Sequence, residues 1–542
     1  MAQKHTLEEL NNCSREELIT IVLMMQGQLD ALNDNIEKLI EQVRIANNYR
    51  FGKHTETLKA IEGQLSFFDE AEAACDESSK EPSAEEVLPA KRTVKKKGQR
   101  DLDLKDFPEE ILPPYSVSEE QLDAFYGKNN WRRMPDETYK RLRHEPESWT
   151  VEIHTVEVYV GTDGDHQDEF LRGSRPKDLL RNSIVTPSLL ASILNVKYVN
   201  SSALHRIEQE FQRNGVNISR QTMSNWIVKC SQMYFAPFVE RMKQELLSLH
   251  VTQSDETPTQ VIADSDHPNS KCYMWVHRSG EFYTKRPIVV YEYQKGRDHQ
   301  KPLDFYKDYK GVLVTDSLQQ YHLVDKKLPD VTNANCWAHA RRDFADAVKA
   351  ADKKDPSSVR QSVAYQALQK IAEFYNADTE LKGLSSKERL QKRQEVIKPM
   401  VEEFFAWVKQ QVSDCTVPPK SKTGQGLNFV INQGKYLRIF LEDGDVPIDN
   451  SASERAIRTF CLGKKNWMFH NTAKGASSSA MVYSISETAK LNQLRPYYYF
   501  KYILTELPKL CDEKGNIDPA KLDHLMPWSD SLPDECRKPR RL

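Results

Sequence analysis

Apolar residues near the N-terminus recur at alternating steps of four and three, which is the heptad pattern of a coiled coil. The pattern runs from Leu18 to Val43 over nearly four heptads. Because the flanking positions are mostly polar, we predict self-association through residues 14–46, within a coiled-coil region that spans 1–68. A long helix that packs on its own domain is the alternative.

The pattern changes twice before residue 180. A charged segment, 69–104, ends in a cluster of lysines and arginines that is typical of a solvated linker and is alternatively a phosphate contact. Residues 149–160 then alternate between apolar and polar, as a half-buried strand does. We therefore predict a small β-containing module over 105–180, whose chemistry the sequence does not reveal.

From Pro187 the apolar spacing becomes helical, with a break at Gly215 and a second helix that opens at Ser219. Two helices around a glycine turn can place the second in the major groove of DNA. We predict a helix-turn-helix-like DNA-binding region over 181–247, although helix hairpins are also common in protein cores. The side chains expected at base edges are Arg220, Gln221, Ser224 and Asn225.

Two short apolar runs in the centre of the chain each lead to an aspartate. Leu249 and Val251 alternate toward Asp255, and the run 312–315 ends at Asp316, with two further strand-like runs between them. If the first and fourth strands are parallel neighbours, about 4.8 Å apart, their carboxylates converge. This is the geometry of a metal site, but either aspartate alone is also typical of a turn or a helix cap.

A third acid, Glu454, lies at the predicted start of a helix. A purely structural role is the alternative, because Ser451 and Glu454 fit a capping box, and Glu454 with Arg458 fits an ion pair one turn apart. Three other aspartates are rival ligands: Asp264, Asp266 and Asp449.

The spacing of the three acids predicts an interrupted domain. Asp255 and Asp316 are 61 residues apart, which holds two more strands, whereas the 138 residues from Asp316 to Glu454 are too many for one connection. Apolar residues at helical steps predict a helical insertion over 349–445. We assign the predicted catalytic core to 248–348 and 446–505, and a C-terminal tail to 506–542.

Composition limits the class of protein. The chain has 542 residues, of which 39% are hydrophobic and 29% charged, and this suits several soluble domains. A net charge of −3 gives no support for a nucleic-acid partner. No apolar stretch is long enough for a membrane span and no basic leader opens the chain, so we predict no membrane partner and a cytoplasmic location.

The cysteines favour reduced thiols over disulfides or a zinc ribbon. Nine cysteines are scattered along the chain without a C-x-x-C pair. The single C-x-x-H formed by Cys336 and His339 is a weak metal signal, and we expect these residues to pack beside Trp337. No structural zinc is predicted.

Several long motifs, in order, resemble the transposases of the insertion sequence 66 (IS66) family. The resemblance also takes in N-Y-R-F-G-K-H-T-E after the heptads and the helical region, so it covers most of the chain. The motifs are D-E-T-P-T-Q-V from 255, L-V-T-D-S-L-Q-Q-Y from 313, C-W-A-H-A-R-R-D-F from 336, D-N-S-A-S-E-R-A-I-R from 449, G-K-K-N-W-M-F from 463 and S-I-S-E-T-A-K-L-N from 484.

The resemblance implies an α/β protein with an RNase H-like catalytic domain and a DDE transposase activity, in which Asp255, Asp316 and Glu454 match the three acids. It further implies two Mg²⁺ ions, with Mn²⁺ possible, and DNA strand cleavage followed by transfer of the element end into target DNA. The expected partners are double-stranded DNA, a second copy of the chain and accessory proteins encoded by the same element.

A group of basic and aromatic residues near the acids is predicted to contact DNA. A solvated helix face is the alternative for each of them. For phosphate contact the predicted residues are Arg341, Arg342, Arg455, Arg458, Lys464, Lys465 and Asn466, and for base stacking Trp467.

Two departures from the family pattern are visible. Members usually carry a cysteine-rich segment after the basic linker, whereas no cysteine lies between Cys75 and Cys230, and Ser317 stands where glycine usually follows the second aspartate. Two other functions stay open: a catalytically inactive DNA-binding regulator derived from a transposase, and a structure-selective nuclease. The intact acids argue against the first and the long N-terminal region against the second.

Overall fold

The computed structural model describes residues 177–538, apart from 182, 265–271, 299, 351–355 and 513. N-terminal to these it describes a few residues between 14 and 26, Trp149 and two short strands. The predicted coiled coil and charged linker therefore lie almost wholly outside the described residues. Of the heptad positions, Leu18 and Val22 are helical, and Val22 is exposed.

The predicted β-containing module is described only by one strand pair. Strand β1 (Val158–Val160) pairs antiparallel with β2 (Phe170–Arg172), with Tyr159 opposite Leu171. Of the predicted strand 149–160, the last three residues are strand, and residues 150–157 lie outside the described part of the chain. This pair belongs to a compact unit of its own.

The second unit is built on a five-stranded sheet in the order β5-β4-β3-β6-β7. Strand β4 pairs antiparallel with both β3 and β5, while β6 pairs parallel with both β3 and β7. The strands are β3 (Val251–Thr259), β4 (Cys272–Ser279), β5 (Val289–Lys295), β6 (Gly311–Thr315) and β7 (Val331–Asn335).

Between residues 187 and 247 four α-helices precede the sheet, and the connection between the second and third is the predicted glycine turn. Gly215 has φ of +77°, a conformation that glycine adopts without strain. The Ser219 hydroxyl then caps the third helix by accepting a hydrogen bond from the Thr222 amide at 3.2 Å. The helices are α1 (Pro187–Leu194), α2 (Leu204–Arg213), α3 (Arg220–Cys230) and α4 (Ala236–Leu247).

Helices account for most of the remaining chain. Between the strands lie α5 (Gln300–Tyr306) and α6 (Gln319–Lys327). The segment after β7 contains α7 (Trp337–Ala350), α8 (Pro356–Gln361), α9 (Val363–Glu380), α10 (Ser386–Lys392), α11 (Lys398–Ser413), α12 (Lys422–Asn432), α13 (Gly434–Leu437), α14 (Ile439–Glu442), α15 (Ser451–Trp467), α16 (Ala473–Leu491) and α17 (Pro496–Leu510).

The two faces of the sheet are covered by different parts of the chain. Since successive side chains of a strand point to opposite faces, Leu313 joins one core and its neighbours Val312 and Val314 join another. The core around Leu313 includes α1, α4, α16 and α17, and the other core is formed with α7, α9, α11 and α12. The predicted insertion 349–445 therefore supplies most of the layer on one face of the sheet.

A buried ion pair holds this insertion to the chain segment that precedes α15. Arg393, which has no exposed side-chain surface, donates to the Asp378 carboxylate at 2.7 Å and to the carbonyls of Phe440 and Val446 at 2.8 and 2.7 Å. A buried charge needs such a complete set of partners. The insertion and the segment that leads into α15 are thereby held together.

Candidate active site

Asp255 and Asp316 lie side by side on neighbouring parallel strands. Gln253 of β3 pairs with Val314 of β6, so each aspartate is two residues beyond the same register position. The predicted parallel neighbourhood of the first and fourth strands is confirmed. Asp255, however, lies inside β3 and not at its end, because the strand continues to Thr259 in its pairing with β4.

Glu454 reaches the same place because the start of α15 is fastened to β3. The Asn450 side-chain amide donates to the Ser254 carbonyl at 2.7 Å, and its side-chain oxygen accepts from Gln253 at 3.2 Å. Arg278 of β4 also donates to the Ala452 carbonyl at 2.9 Å. Glu454, in the first turn of α15, is thus delivered beside Asp255.

The capping-box alternative for Glu454 is wrong. Asn450, and not Ser451, occupies the N-cap of α15, and no side chain caps that helix. The Ser451 amide instead donates to Asp449 at 2.9 Å, so Asp449 serves a local turn. Burial raises the pKa of Asp449, and its strongest charged neighbours are Glu281 and Lys382. Of the other rivals, the side chain of Asp264 and residue Asp266 lie outside the described part of the chain.

Asp255 lies close enough to both other predicted acids for their charges to affect its pKa. Burial raises the pKa of Asp255 well above its usual range, and the charges of Glu256, Glu454 and Asp316 raise it further. The pKa of Asp316 is raised to about 7 by burial and by Glu256, although Arg297 and Arg342 oppose the shift. Carboxylates that repel one another in this way are stabilised by a cation placed between them.

A second acid beside Asp255 has a full set of protein partners. The Glu256 carboxylate accepts from Arg297 at 2.7 Å and from the Tyr321 hydroxyl at 2.6 Å, and it has no exposed side-chain surface. We therefore assign Glu256 to positioning. This cluster was not predicted from the sequence, although Glu256 and Tyr321 both lie within the quoted motifs.

His339 was also missed as a site residue. Its Nδ1 lies 3.8 Å from the nearer carboxylate oxygen of Glu454. The ligand atoms of Cys336, His339 and Glu454 all lie within 4.8 Å of one another. Burial and the charge of Arg342 lower the pKa of His339 to about 4, so its ring is neutral near pH 7. The C-x-x-H spacing, set aside as weak, was the available signal.

The predicted base-reading residues lie on the exposed face of α3. Arg220, Gln221 and Asn225 are exposed, whereas Met223 and Trp226 point into the core. The predicted helix pair is therefore present, and its second helix presents polar side chains to solvent.

The predicted phosphate-contact residues divide into two groups. Arg342, Arg455 and Lys465 are exposed, and Arg458 is partly exposed. Arg341 is only 6% exposed, which removes its side chain from the reach of a DNA backbone in this structure.

Lys464 and Asn466 are held by the protein itself. The Lys464 ammonium donates to the Pro258 carbonyl at 2.7 Å, and the Asn466 amide donates to the Ser201 carbonyl at 2.9 Å. Both contacts tie the end of α15 to neighbouring segments.

Trp467 packs inside the protein and is poorly placed for stacking on a base. Its ring lies against Tyr198 and Tyr483, with centroids 6.3 and 6.4 Å away, and the Lys197 ammonium lies 4.1 Å above it. The two residues that follow, Met468 and Phe469, are the exposed apolar side chains of this turn.

The donor set fits hard divalent cations. Asp255, Asp316 and Glu454 offer carboxylate oxygens, the ligands that Mg²⁺ and Mn²⁺ prefer. The Cys336 thiol is fully buried, its pKa is raised well above the usual range by burial, and its sulfur accepts a hydrogen bond from the Asn450 amide at 3.1 Å. Thiolate sulfur also prefers softer metals than Mg²⁺ and Mn²⁺, so the carboxylates are the better ligands for these two ions.

Fold and site together define an α/β protein whose central sheet carries a partly buried cluster of acids. The family profile described as "Transposase IS66 family" matches residues 182–478, and the profile "IS66 C-terminal element" matches 484–528. The chain belongs to the IS66 family of transposases, as the motifs indicated. Membership implies a transposase of the DDE type, and such transposases generally use a divalent metal.

Full-length relatives are also found. Two proteins of Sinorhizobium fredii, named as the uncharacterized proteins y4hP and y4qI, are 24% and 25% identical to this chain. Each alignment covers 92% of the chain and 88% or 89% of the relative. A third, y4jD, is 24% identical over 66% of the chain. Within the described residues no helix is both long and apolar enough to cross a membrane.

Proposed function

We propose that this protein binds the ends of its mobile element, cleaves DNA strands there in a Mg²⁺-dependent reaction, and transfers the freed ends into target DNA. The observation that carries the proposal is the convergence of Asp255, Asp316 and Glu454. These residues lie on two strands and a helix that are far apart in sequence, and their charges are coupled. Such coupling is costly for stability and is typical of a functional site.

We also propose that the catalytic domain is RNase H-like. Its support is the mixed sheet, in which β3 is the central strand. On one side β4 and β5 follow through antiparallel pairings, and on the other side β6 and β7 follow through parallel pairings. This order brings β3 and β6 together and leaves the helices after β7 to return the third acid to the same edge.

The protein's own groups would divide the work as follows. Divalent ions supply activation of the attacking oxygen and stabilisation of the leaving oxygen. Asp255, which is coupled to both other acids, would hold the ions together with Asp316 and Glu454. Arg297 and Tyr321 keep the neighbouring Glu256 in place.

DNA would be held by two groups of exposed side chains. Arg220, Gln221 and Asn225 on α3 would reach base edges, and Arg342, Arg455, Arg458 and Lys465 would neutralise phosphates. A homo-oligomer formed through residues 14–46 would bring two element ends together, with accessory proteins of the same element as further partners. The site of action would be the bacterial cytoplasm, on the nucleoid.

The test uses the whole chain and a labelled duplex made from the DNA that flanks the gene, searched first for an inverted repeat. We expect Asp255→Asn, Asp316→Asn and Glu454→Gln each to lower Mg²⁺-dependent strand cleavage by roughly a thousandfold or more, because the metal contributes several kcal/mol to the reaction. DNA binding and the thermal midpoint should stay near those of the parent.

Asp449→Asn is the matched control, since an asparagine side chain can still accept the bond from the Ser451 amide. It should cleave at close to the parent rate. Parent-level cleavage by Glu454→Gln together with a loss in Asp449→Asn would move the third acid to Asp449. A parent protein that binds the repeat but cleaves it with neither Mg²⁺ nor Mn²⁺ would favour the alternative, a DNA-binding regulator.

A further inference from the structure

The position of His339 is fixed by the backbone connection between β6, β7 and the start of α7. The Cys336 amide, at the end of β7, donates to the Thr315 carbonyl at 3.0 Å, directly before Asp316. Helix α7 then begins at Trp337, whose ring nitrogen donates to the Leu437 carbonyl at 2.8 Å. His339 therefore lies in the first turn of a helix that is fixed at both the sheet and the insertion.

The ring of His339 presents a polar atom that the protein leaves unused. Nδ1 is buried and makes no hydrogen bond among the described residues. The nearer Glu454 oxygen, at 3.8 Å, is too far for a direct hydrogen bond. Two atoms that ligate one ion at about 2.1 Å each lie at most about 4.2 Å apart, so this separation fits a shared ion.

We propose that His339 Nδ1 is a nitrogen ligand to the divalent ion that Glu454 holds, and that it shifts the preference of the site toward Mn²⁺ relative to an all-oxygen set. The inference rests on the proposed function, because it assumes that Glu454 binds an ion. Imidazole nitrogen binds Mn²⁺ more readily than Mg²⁺, which favours oxygen donors. Cys336 is less suited to this role, because thiolate sulfur prefers softer metals than Mn²⁺ and Mg²⁺.

The experiment measures metal binding by the full-length protein without DNA. Free Mn²⁺ is followed by electron paramagnetic resonance during titration, and Mg²⁺ affinity is obtained by competition. We expect His339→Gln to weaken Mn²⁺ binding about tenfold or more and Mg²⁺ binding by much less. Pulsed spectra of bound Mn²⁺ should show coupling to a histidine nitrogen in the parent and lose it in the variant.

Cys336→Ala is the matched control and should keep both the nitrogen coupling and the Mn²⁺ affinity. His339→Asn serves as a second variant, and the thermal midpoint without metal reports whether each variant folds. An unchanged ratio of Mn²⁺ to Mg²⁺ affinity and a nitrogen coupling that persists in both His339 variants would overturn the proposal.

Asp255→Asn separates this failure from failure of the proposed function. If Asp255→Asn loses both ions while the His339 variants bind them as the parent does, the acidic site stands and only the histidine ligand is wrong. If Asp255→Asn also binds both ions as the parent does, the proposed metal site fails, and the histidine ligand with it.

Discussion

Asn450 joins the strand that carries Asp255 to the helix that carries Glu454. Its side chain bonds to Ser254 and Gln253, its backbone amide bonds to Cys336, and it has no exposed surface. Because Asn450 is the N-cap residue of α15 and its buried side chain bonds to β3, it fixes the separation of these two elements more rigidly than apolar contact does. The spacing between the first and third acids therefore depends on this amide.

We expect Asn450→Ala to lower the free energy of unfolding by about 1–3 kcal/mol, because it leaves buried polar groups without partners. Strand cleavage should fall as well, since Glu454 loses its placement. Ser451→Ala, which keeps its backbone bond to Asp449, should change both far less. Denaturant unfolding and cleavage rates are measured on both variants. Equal losses of stability and cleavage in the two variants would contradict the positioning role of Asn450.

The buried His277 predicts a pH dependence of stability. Its ring stacks on Phe305 with centroids 3.6 Å apart and its Nδ1 lies 2.8 Å from the Ser254 hydroxyl, while Nε2 lies 4.0 Å from Glu292. Burial, and next the charge of Lys243, lower the pKa of His277 well below 6.5. Below pH 6.5 His277 therefore binds a proton in the unfolded chain but stays neutral in the folded protein.

Stability should accordingly be highest above pH 6.5 and fall as the pH drops below it, by up to about 1.4 kcal/mol per pH unit from this group. His277→Gln, which cannot titrate, should be less stable than the parent at pH 7.5, with a difference that narrows at pH 5. Urea unfolding at both pH values tests this. A constant difference would show that the pKa of His277 is the same in the folded protein as in the unfolded chain.

At the scale of elements, α16 closes an edge of the sheet. The hydroxyl of Ser484 accepts from the Tyr291 amide at 2.8 Å, Thr488 accepts from the Val289 amide at 2.9 Å, and Asn492 donates to the Pro287 carbonyl. Steps of four place these side chains on one helix face. The motif S-I-S-E-T-A-K-L-N thus covers the outer edge of β5. Without this cover, the backbone groups of the edge strand would be free to pair with another chain.

Helix α3 is the element on which sequence recognition is predicted to depend. We expect Arg220→Ala with Asn225→Ala to weaken binding to the element end by about 1–3 kcal/mol and binding to random DNA by less, because base contacts specify and phosphate contacts position. Lys229→Ala, exposed on the same helix, is the control and should reduce both affinities alike. Gel-shift titrations at one salt concentration compare the three proteins.

Equal losses on both DNAs in the double variant would assign α3 to backbone contact. The helix must remain folded for this comparison, and circular dichroism with the thermal midpoint checks it. The exposed positions of Arg220 and Asn225 make a packing defect an unexpected outcome.

At the scale of the whole molecule, oligomerisation is predicted to depend on the N-terminal heptads. Leu29→Pro with Ile36→Pro should break the helix at the centre of the apolar seam, because proline removes backbone hydrogen bonds and clashes with the preceding turn. Light scattering should then show a smaller assembly. Leu29→Ala with Ile36→Ala, which keeps helix propensity, should have an intermediate effect, and a parent-sized assembly in the proline variant would contradict the prediction.

Parts of the catalytic fold could be predicted from local pattern. The two strand-like runs predicted between Asp255 and Asp316 correspond to β4 and β5, and the run 312–315 corresponds to β6. Strand β7 was missed because V-T-N-A-N carries too few apolar residues to give a strand signal. Its asparagines are buried and hydrogen-bonded in the folded protein, with Thr315 and Asn335 as partners of Asn333.

By itself the sequence determined the order of the elements, the family and the three acids matched to it, because periodicity and motif spacing are local properties of a chain. Only the tertiary structure decided which of these residues meet. The register of β3 with β6 aligned Asp255 with Asp316, Asn450 set Glu454 beside them, and the turn after β7 added His339. The same packing buried Arg341 and placed the partly buried ring of Trp467 against Tyr483, since burial depends on neighbours far away in sequence.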